Sequence, residues 1–153
     1  MRGNRKMTKN EDLNRRIGDL EDKISKMHKK RGLTFLASVP PHDVCRNIVV
    51  AWNLSSLNRN FDHVMQILSD FYGVTPMQNL HNPAKVPAKS IACYYKLENV
   101  AYYKNPTSDL ETVLHEFFHH IHANGVVTLY DGEDTEKCAN EYAELIMQLG
   151  EIP

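Results

Sequence analysis

The segment Leu110-Glu111-Thr112-Val113-Leu114-His115-Glu116-Phe117-Phe118-His119-His120-Ile121 constrains this chain more than any other stretch. Leu110, Val113, Leu114, Phe117, Phe118 and Ile121 recur along it and predict a largely buried helix, where bare histidines are out of place. Residues four apart share a helix face, so His115 and His119 present two imidazoles to one point. Glu116 stands beside the pair, placed to act on a water rather than on the ion. This HExxH arrangement predicts a metal site, with Zn2+ as the expected ion and Glu116 as the catalytic group. Ser108 with Glu111 three residues later predicts a capping box at the helix start, and Gly125 predicts its end.

Two histidines leave a catalytic zinc one protein ligand short. His122 points to the same side as His115, but at ~1.5 Å per residue it lies roughly 4.5 Å beyond His119 along the axis. It is expected to line the cleft or pack there. The longer HExxHxxGxxH pattern needs Gly at 122 and His at 125, whereas the chain has His122 and Gly125. A carboxylate on the next helix is the better candidate. After a turn at Asp131-Gly132, residues Ala139, Tyr142, Ala143, Ile146 and Leu149 recur at helical spacing and predict an inward face. Glu136, one turn before Ala139, is the predicted third ligand, with Glu141 in reserve. Asn140 is placed to accept a hydrogen bond from a ligand histidine. Glu133, Asp134, Glu141 and Glu144 read as a solvated acidic face.

His115-Glu116-x-x-His119 followed by Glu136-x-x-Ala139-Asn140-x-Tyr142-Ala143 resembles the gluzincin metallopeptidases. It is most similar to the ImmA/IrrE group, in which HExxH is followed by a helix of pattern ExxANxFA. The minigluzincins are the second choice, with Asp usually in the Asn140 place. The resemblance implies His115, His119 and Glu136 as zinc ligands, Glu116 as general base and Asn140 as an orienting residue. Tyr142 stands where Phe is usual, and Cys138 stands where many ImmA/IrrE members carry an acid. The similarity covers roughly residues 57 to 150.

The preceding segment suits a small α+β, zincin-like domain. Asn58 to Tyr72 carries a helical apolar stripe that Gly73 can end. A loop marked by Pro76, Pro83 and Pro87 follows. Ser90 to Lys96 and Val100 to Lys104 read as strands of a hairpin, or short antiparallel sheet, turning at Leu97-Glu98-Asn99. In folds of this kind an edge strand beside the metal binds substrate backbone by strand addition. Tyr94, Tyr95, Tyr102 and Tyr103 are expected to be half-buried strand residues. The domain is expected over residues 41–153, behind an N-terminal extension over residues 1–40.

That extension holds an amphipathic helix over about residues 10–31. Leu13, Ile17, Leu20, Ile24 and Met27 follow heptad spacing for about two repeats, so docking on its own domain and self-association both stay open. Gly18 costs this helix about 1 kcal/mol relative to Ala. The basic run His28-Lys29-Lys30-Arg31 reads as a solvated helix end rather than a nucleic-acid contact. Residues Leu33 to Leu54 stay unassigned, and Met1 to Lys9 is expected to lack order.

Composition excludes several classes of partner. A net charge of -1 over 153 residues gives no field for nucleic acid or anionic membrane. No apolar run approaches the ~18 residues that span a bilayer. The basic start lacks the apolar core of a secretory signal. Cys45, Cys93 and Cys138 are odd in number and widely spaced, which predicts free buried thiols in a cytoplasmic protein.

The expected activity is zinc-dependent peptide hydrolysis, in which a water at the metal gives its proton to Glu116 and the leaving amine receives it. His122, Tyr130 and Tyr142 are candidates for steadying the developing oxyanion. His120, about 100 degrees round the helix from His119, is expected to be structural or exposed. The resemblance implies a narrow substrate, a regulatory protein such as a DNA-bound repressor. Two alternatives stand beside it. One is a self-inhibited peptidase whose segment from Met1 to Pro41 covers the cleft, and the other is a zinc-stabilised module that binds a regulator without cutting it.

Overall fold

A computed structural model describes residues 8–31, 39–54, 61–129, 132 and 134–153. Helix α1 runs Lys9–Arg31, and Thr8 caps it by accepting from the Glu11 N–H at 3.1 Å. Thr8 and Lys9 are thus ordered by the cap, contrary to expectation, while residues 1–7 lie outside the described part. Along the predicted stripe, Ile24 is buried in the main core, Leu20 packs against it, and Leu13 and Ile17 are half-buried. The helix therefore docks on its own chain through its later turns.

Helix α2, His42–Asn53, starts directly after Pro41, whose extended conformation (φ -65, ψ 167) suits the residue before a first turn. Its buried face is Cys45, Ile48, Val49, Ala51 and Trp52. Helix α3, Phe61–Tyr72, ends at Gly73 as predicted, with φ 69 at the glycine. Its expected start at Asn58 lies outside the described residues. Trp52 meets Phe61 edge to face at 5.4 Å, which ties α2 to α3.

The three-stranded sheet comprises β1 (Gln78–His81), β2 (Ala92–Tyr95) and β3 (Val100–Tyr103), in the order β1-β3-β2. The predicted hairpin is β2 against β3, antiparallel, with Asn99 at φ 57 in its turn. The expectation of a purely antiparallel sheet is corrected, because β1 runs parallel to β3. It occupies part of the segment read as a Pro-marked loop. Asn82, whose side chain accepts from the Ala84 N–H, then opens the single turn Pro83–Lys85.

Strand alternation gives the sheet two working faces. Ala101 and Tyr103 join the main core, with Ala92 and Tyr94 packed against it. Val100 and Tyr102 form a second small cluster with Val86, and Tyr95 leans on it. All four tyrosine hydroxyls find partners: His120 and Asn99 for Tyr94, the Lys85 carbonyl for Tyr95, Glu98 for Tyr102 and Asn79 for Tyr103. Tyr102 and Tyr103 are buried more deeply than predicted.

Helices α4 (Leu110–Ala123) and α5 (Thr135–Gly150) pack on each other, α5 also packs on α2, and α4 lies against β2. All six apolar residues predicted for α4 are buried, each contributing about 1.5–3 kcal/mol of transfer free energy. The five predicted inward residues of α5 are likewise buried. α5 approaches α2 closely at Gly150, where an added Cβ would stand 2.6 Å from the Cys45 carbonyl oxygen. Arg46 donates to the Gly150 carbonyl at 3.0 Å and closes the C-terminal end of α5. The fold is α+β, with five helices and a mixed three-stranded sheet among the described residues. No helix among them is long and apolar enough to cross a membrane.

Candidate metal centre

Both ends of α4 are fixed by local chemistry. Asp109, extended at φ -88 and ψ 162, accepts from the Thr112 N–H at 2.7 Å and is the N-cap. The predicted cap at Ser108 is off by one residue, because Asp109 is the last non-helical position and its carboxylate reaches the free N–H groups. At the other end Gly125, at φ 76, donates to the His122 carbonyl while Val126 donates to that of Ile121. This is a Schellman closure, so the predicted stop at Gly125 holds. His115 and His119 lie between these ends on one face.

The facing residue comes from the first turn of α5. Asp134 caps α5 by accepting from the N–H groups of Glu136 and Lys137, at 3.0 and 3.2 Å. It is exposed, as expected of a solvated acidic residue, and it also fixes the turn that carries Glu136. Glu136 sets one carboxylate oxygen 2.8 Å from His115 Nε2 and the other 3.0 Å from His119 Nε2. The two Nε2 atoms are 3.3 Å apart.

Asn140, one turn further along α5, has its Oδ1 2.7 Å from His115 Nδ1. An amide oxygen accepts only, so His115 Nδ1 carries the proton and donates to it. In the neutral ring, Nε2 then faces the carboxylate as a bare lone pair. His119 belongs with it: burial, opposed by the nearby Glu136 carboxylate, holds its pKa below the usual histidine value. Two ring nitrogens and a carboxylate thus converge on one point, which is the donor set of a cation site. His115, His119 and Glu136 could hold a metal ion, all three ligand atoms lying within 4.8 Å of one another. Glu141, held in reserve, is not in this group. The Glu136 side chain is 68% exposed against 16% for each histidine, so the site opens toward solvent on the Glu136 side.

Glu116 is buried beside the group. Burial pushes its carboxyl up to about 7, with Glu136 adding to the rise; His115 and the main-chain N–H of Tyr94 oppose it. An acid titrating near neutrality suits the receipt and return of a proton. Tyr94 holds α4 at a second point, since its hydroxyl lies 2.8 Å from His120 Nδ1. His120 is fully buried, with Nε2 2.7 Å from the Thr75 carbonyl, so that nitrogen donates and Nδ1, beside the Tyr94 hydroxyl, is left as an acceptor. Of the two expectations for His120 the structural one holds. The double grip of Tyr94 on α4 had no mark in the sequence.

Two adjoining hollows, of about 500 and 370 Å³, flank the group and share Glu116 and Glu136 in their walls. His122 lines the larger one and stacks on Phe118 at 6.3 Å, outside the metal group as predicted. Tyr142 is no candidate for the oxyanion: it is fully buried with its hydroxyl 2.7 Å from that of Tyr72. Tyr130 lies outside the described residues. Cys45 and Cys138 are buried as expected, whereas Cys93 is half-buried and lines the larger hollow. No described residue of α1 lines either hollow; α1 meets α5 near Gln148 and Ile152, at the end away from Glu136.

Compared with known proteins, the chain matches no family model, no curated protein and no solved structure. The donor set itself is what points to a function.

Proposed function

We propose that the chain is a zinc-dependent peptidase that cuts a regulatory protein at a specific site. The carrying observation is one buried carboxyl, Glu116, beside two converging imidazoles and a carboxylate, all opening on a cleft. Zinc suits the donor set: nitrogens of two imidazoles on one tetrahedral zinc stand about 3.3 Å apart, given a Zn–N distance of roughly 2.0–2.1 Å. The ligand resemblance to gluzincins of the ImmA/IrrE type supports the same ion and the narrow substrate.

Bound by His115, His119 and Glu136, zinc would acidify a water and polarise the scissile carbonyl. The protein's own part is proton handling and orientation. Glu116 Oε receives the proton of the attacking water and returns it to the amine nitrogen as the C–N bond breaks. Asn140 keeps the His115 Nδ1 proton in place, so that Nε2 stays directed at the ion. A main-chain hydrogen bond from Tyr94 anchors Glu116, which lines both hollows.

The test compares zinc-loaded wild type with Glu116→Gln on a mixed peptide library, read by mass spectrometry. Discrete new termini from wild type and none from the variant are expected, with zinc retained by both. Zinc retention without cleavage by either, with candidate partner proteins also present, would instead favour the non-cutting regulator-binding module.

A further inference from the structure

The two hollows beside the metal group differ in charge. The larger is walled by Lys96 and His122 at the end away from the start of α4. The smaller is walled by Asp109, Glu111 and Thr112, with Lys89 opposite them offsetting part of the negative charge. Ser90 and Ala92 line both, so β2 forms the shared bank.

The direction in which a peptide lies along that bank follows from the register. The Lys104 N–H donates to the Ile91 carbonyl at 2.9 Å, making 91 and 104 a hydrogen-bonded pair. Alternation then turns the N–H and C=O of Ala92 away from β3, toward the free side of this edge strand. An added strand pairs more favourably antiparallel than parallel. An antiparallel peptide places its N-terminal residues near Lys96 and its C-terminal residues near Lys89 and Ser90.

Resting on the peptidase reading, we infer that the cleft selects peptides with an acidic side chain before the scissile bond and a basic one after it. Lys96 and His122 receive the acid; Asp109 and Glu111 receive the base. Lys96 is the main determinant on the first side, because Lys89 weakens the discrimination on the second.

The experiment uses two short capped peptides that differ only in the order of one Asp and one Lys flanking a central apolar pair. Binding to zinc-loaded Glu116→Gln is read by fluorescence anisotropy at low and at physiological salt, and turnover by wild type is read by mass spectrometry. The acid-first peptide is expected to bind about three- to tenfold more tightly at low salt, with the preference shrinking as salt rises. Lys96→Glu is expected to erase or invert it. Equal binding, or tighter binding of the base-first peptide, overturns the inference. Cleavage of both peptides at equal rates leaves the peptidase reading standing and removes the charge rule. Preferential binding without any cleavage does the reverse.

Discussion

Asn140 Oδ1 sits 2.7 Å from His115 Nδ1 and so decides which nitrogen of that ring faces the metal group. Loss of such a partner typically costs 10- to 100-fold, roughly, in metal affinity. Asn140→Ala is therefore expected to weaken zinc binding by about that factor, and Asn140→Asp, which still accepts the proton, to restore most of it. Competition against a chromophoric chelator measures both. Equal affinity in wild type and Asn140→Ala would remove the orienting role.

His120 is adjacent to a proposed ligand yet bonded to Thr75 and Tyr94 instead. His120→Leu removes the hydrogen bond to the Thr75 carbonyl and the one to the Tyr94 hydroxyl, which is expected to cost about 1–3 kcal/mol of stability in all. Zinc stoichiometry in the folded variant should be unchanged. A variant that folds, by circular dichroism, but no longer takes zinc would make His120 a ligand.

Two glycines are expected to respond oppositely to alanine. At Gly150 the new methyl meets the Cys45 carbonyl and a Val49 methyl, so overpacking should destabilise the protein by about 1–3 kcal/mol. At Gly18 nothing lies within 4 Å, so Ala should stabilise α1 by up to about 1 kcal/mol. Urea unfolding of both variants checks the pair of signs.

Burial pushes the Cys45 thiol up to about 12. Its unfolded value is about 8.5, so the folded state favours the protonated form. That stability is fully present below about pH 8.5 and drains away as pH rises toward 12, at about 1.4 kcal/mol per pH unit. Tyr72 and Tyr142, raised by burial too, act in the same sense at higher pH. Urea midpoints should fall above about pH 9, and the slope just above that point should flatten in Cys45→Ala. An unchanged slope in that variant would assign the alkaline loss to other groups.

The site was legible because helical periodicity carries three-dimensional information: residues four apart face together, and α4 and α5 hold every member of the metal group. Asn140 was readable for the same reason, lying one turn beyond Glu136. The parts that were missed rest on forces that leave little trace in side chains. Helix α2 hid behind Ile48-Val49-Val50-Ala51-Trp52, a consecutive apolar run in which a short buried helix and a strand look alike. Strand β1, Gln-Asn-Leu-His at 78–81, is mostly exposed and pairs with β3 through main-chain bonds, so it shows no alternation. Caps at Asp109 and Asp134 depend on backbone dihedrals that distinguish one residue from its neighbour. The environment of His120 comes from Thr75 and Tyr94, 45 and 26 residues away in sequence.

The most direct test of the central claim is the zinc content of zinc-loaded, desalted protein by elemental analysis. Wild type and Glu116→Gln are expected to carry one zinc per chain, and His115→Ala, His119→Ala and Glu136→Ala to carry only background. Zinc absent from wild type, or present equally in the three ligand variants, would contradict the metal centre and the peptidase built on it.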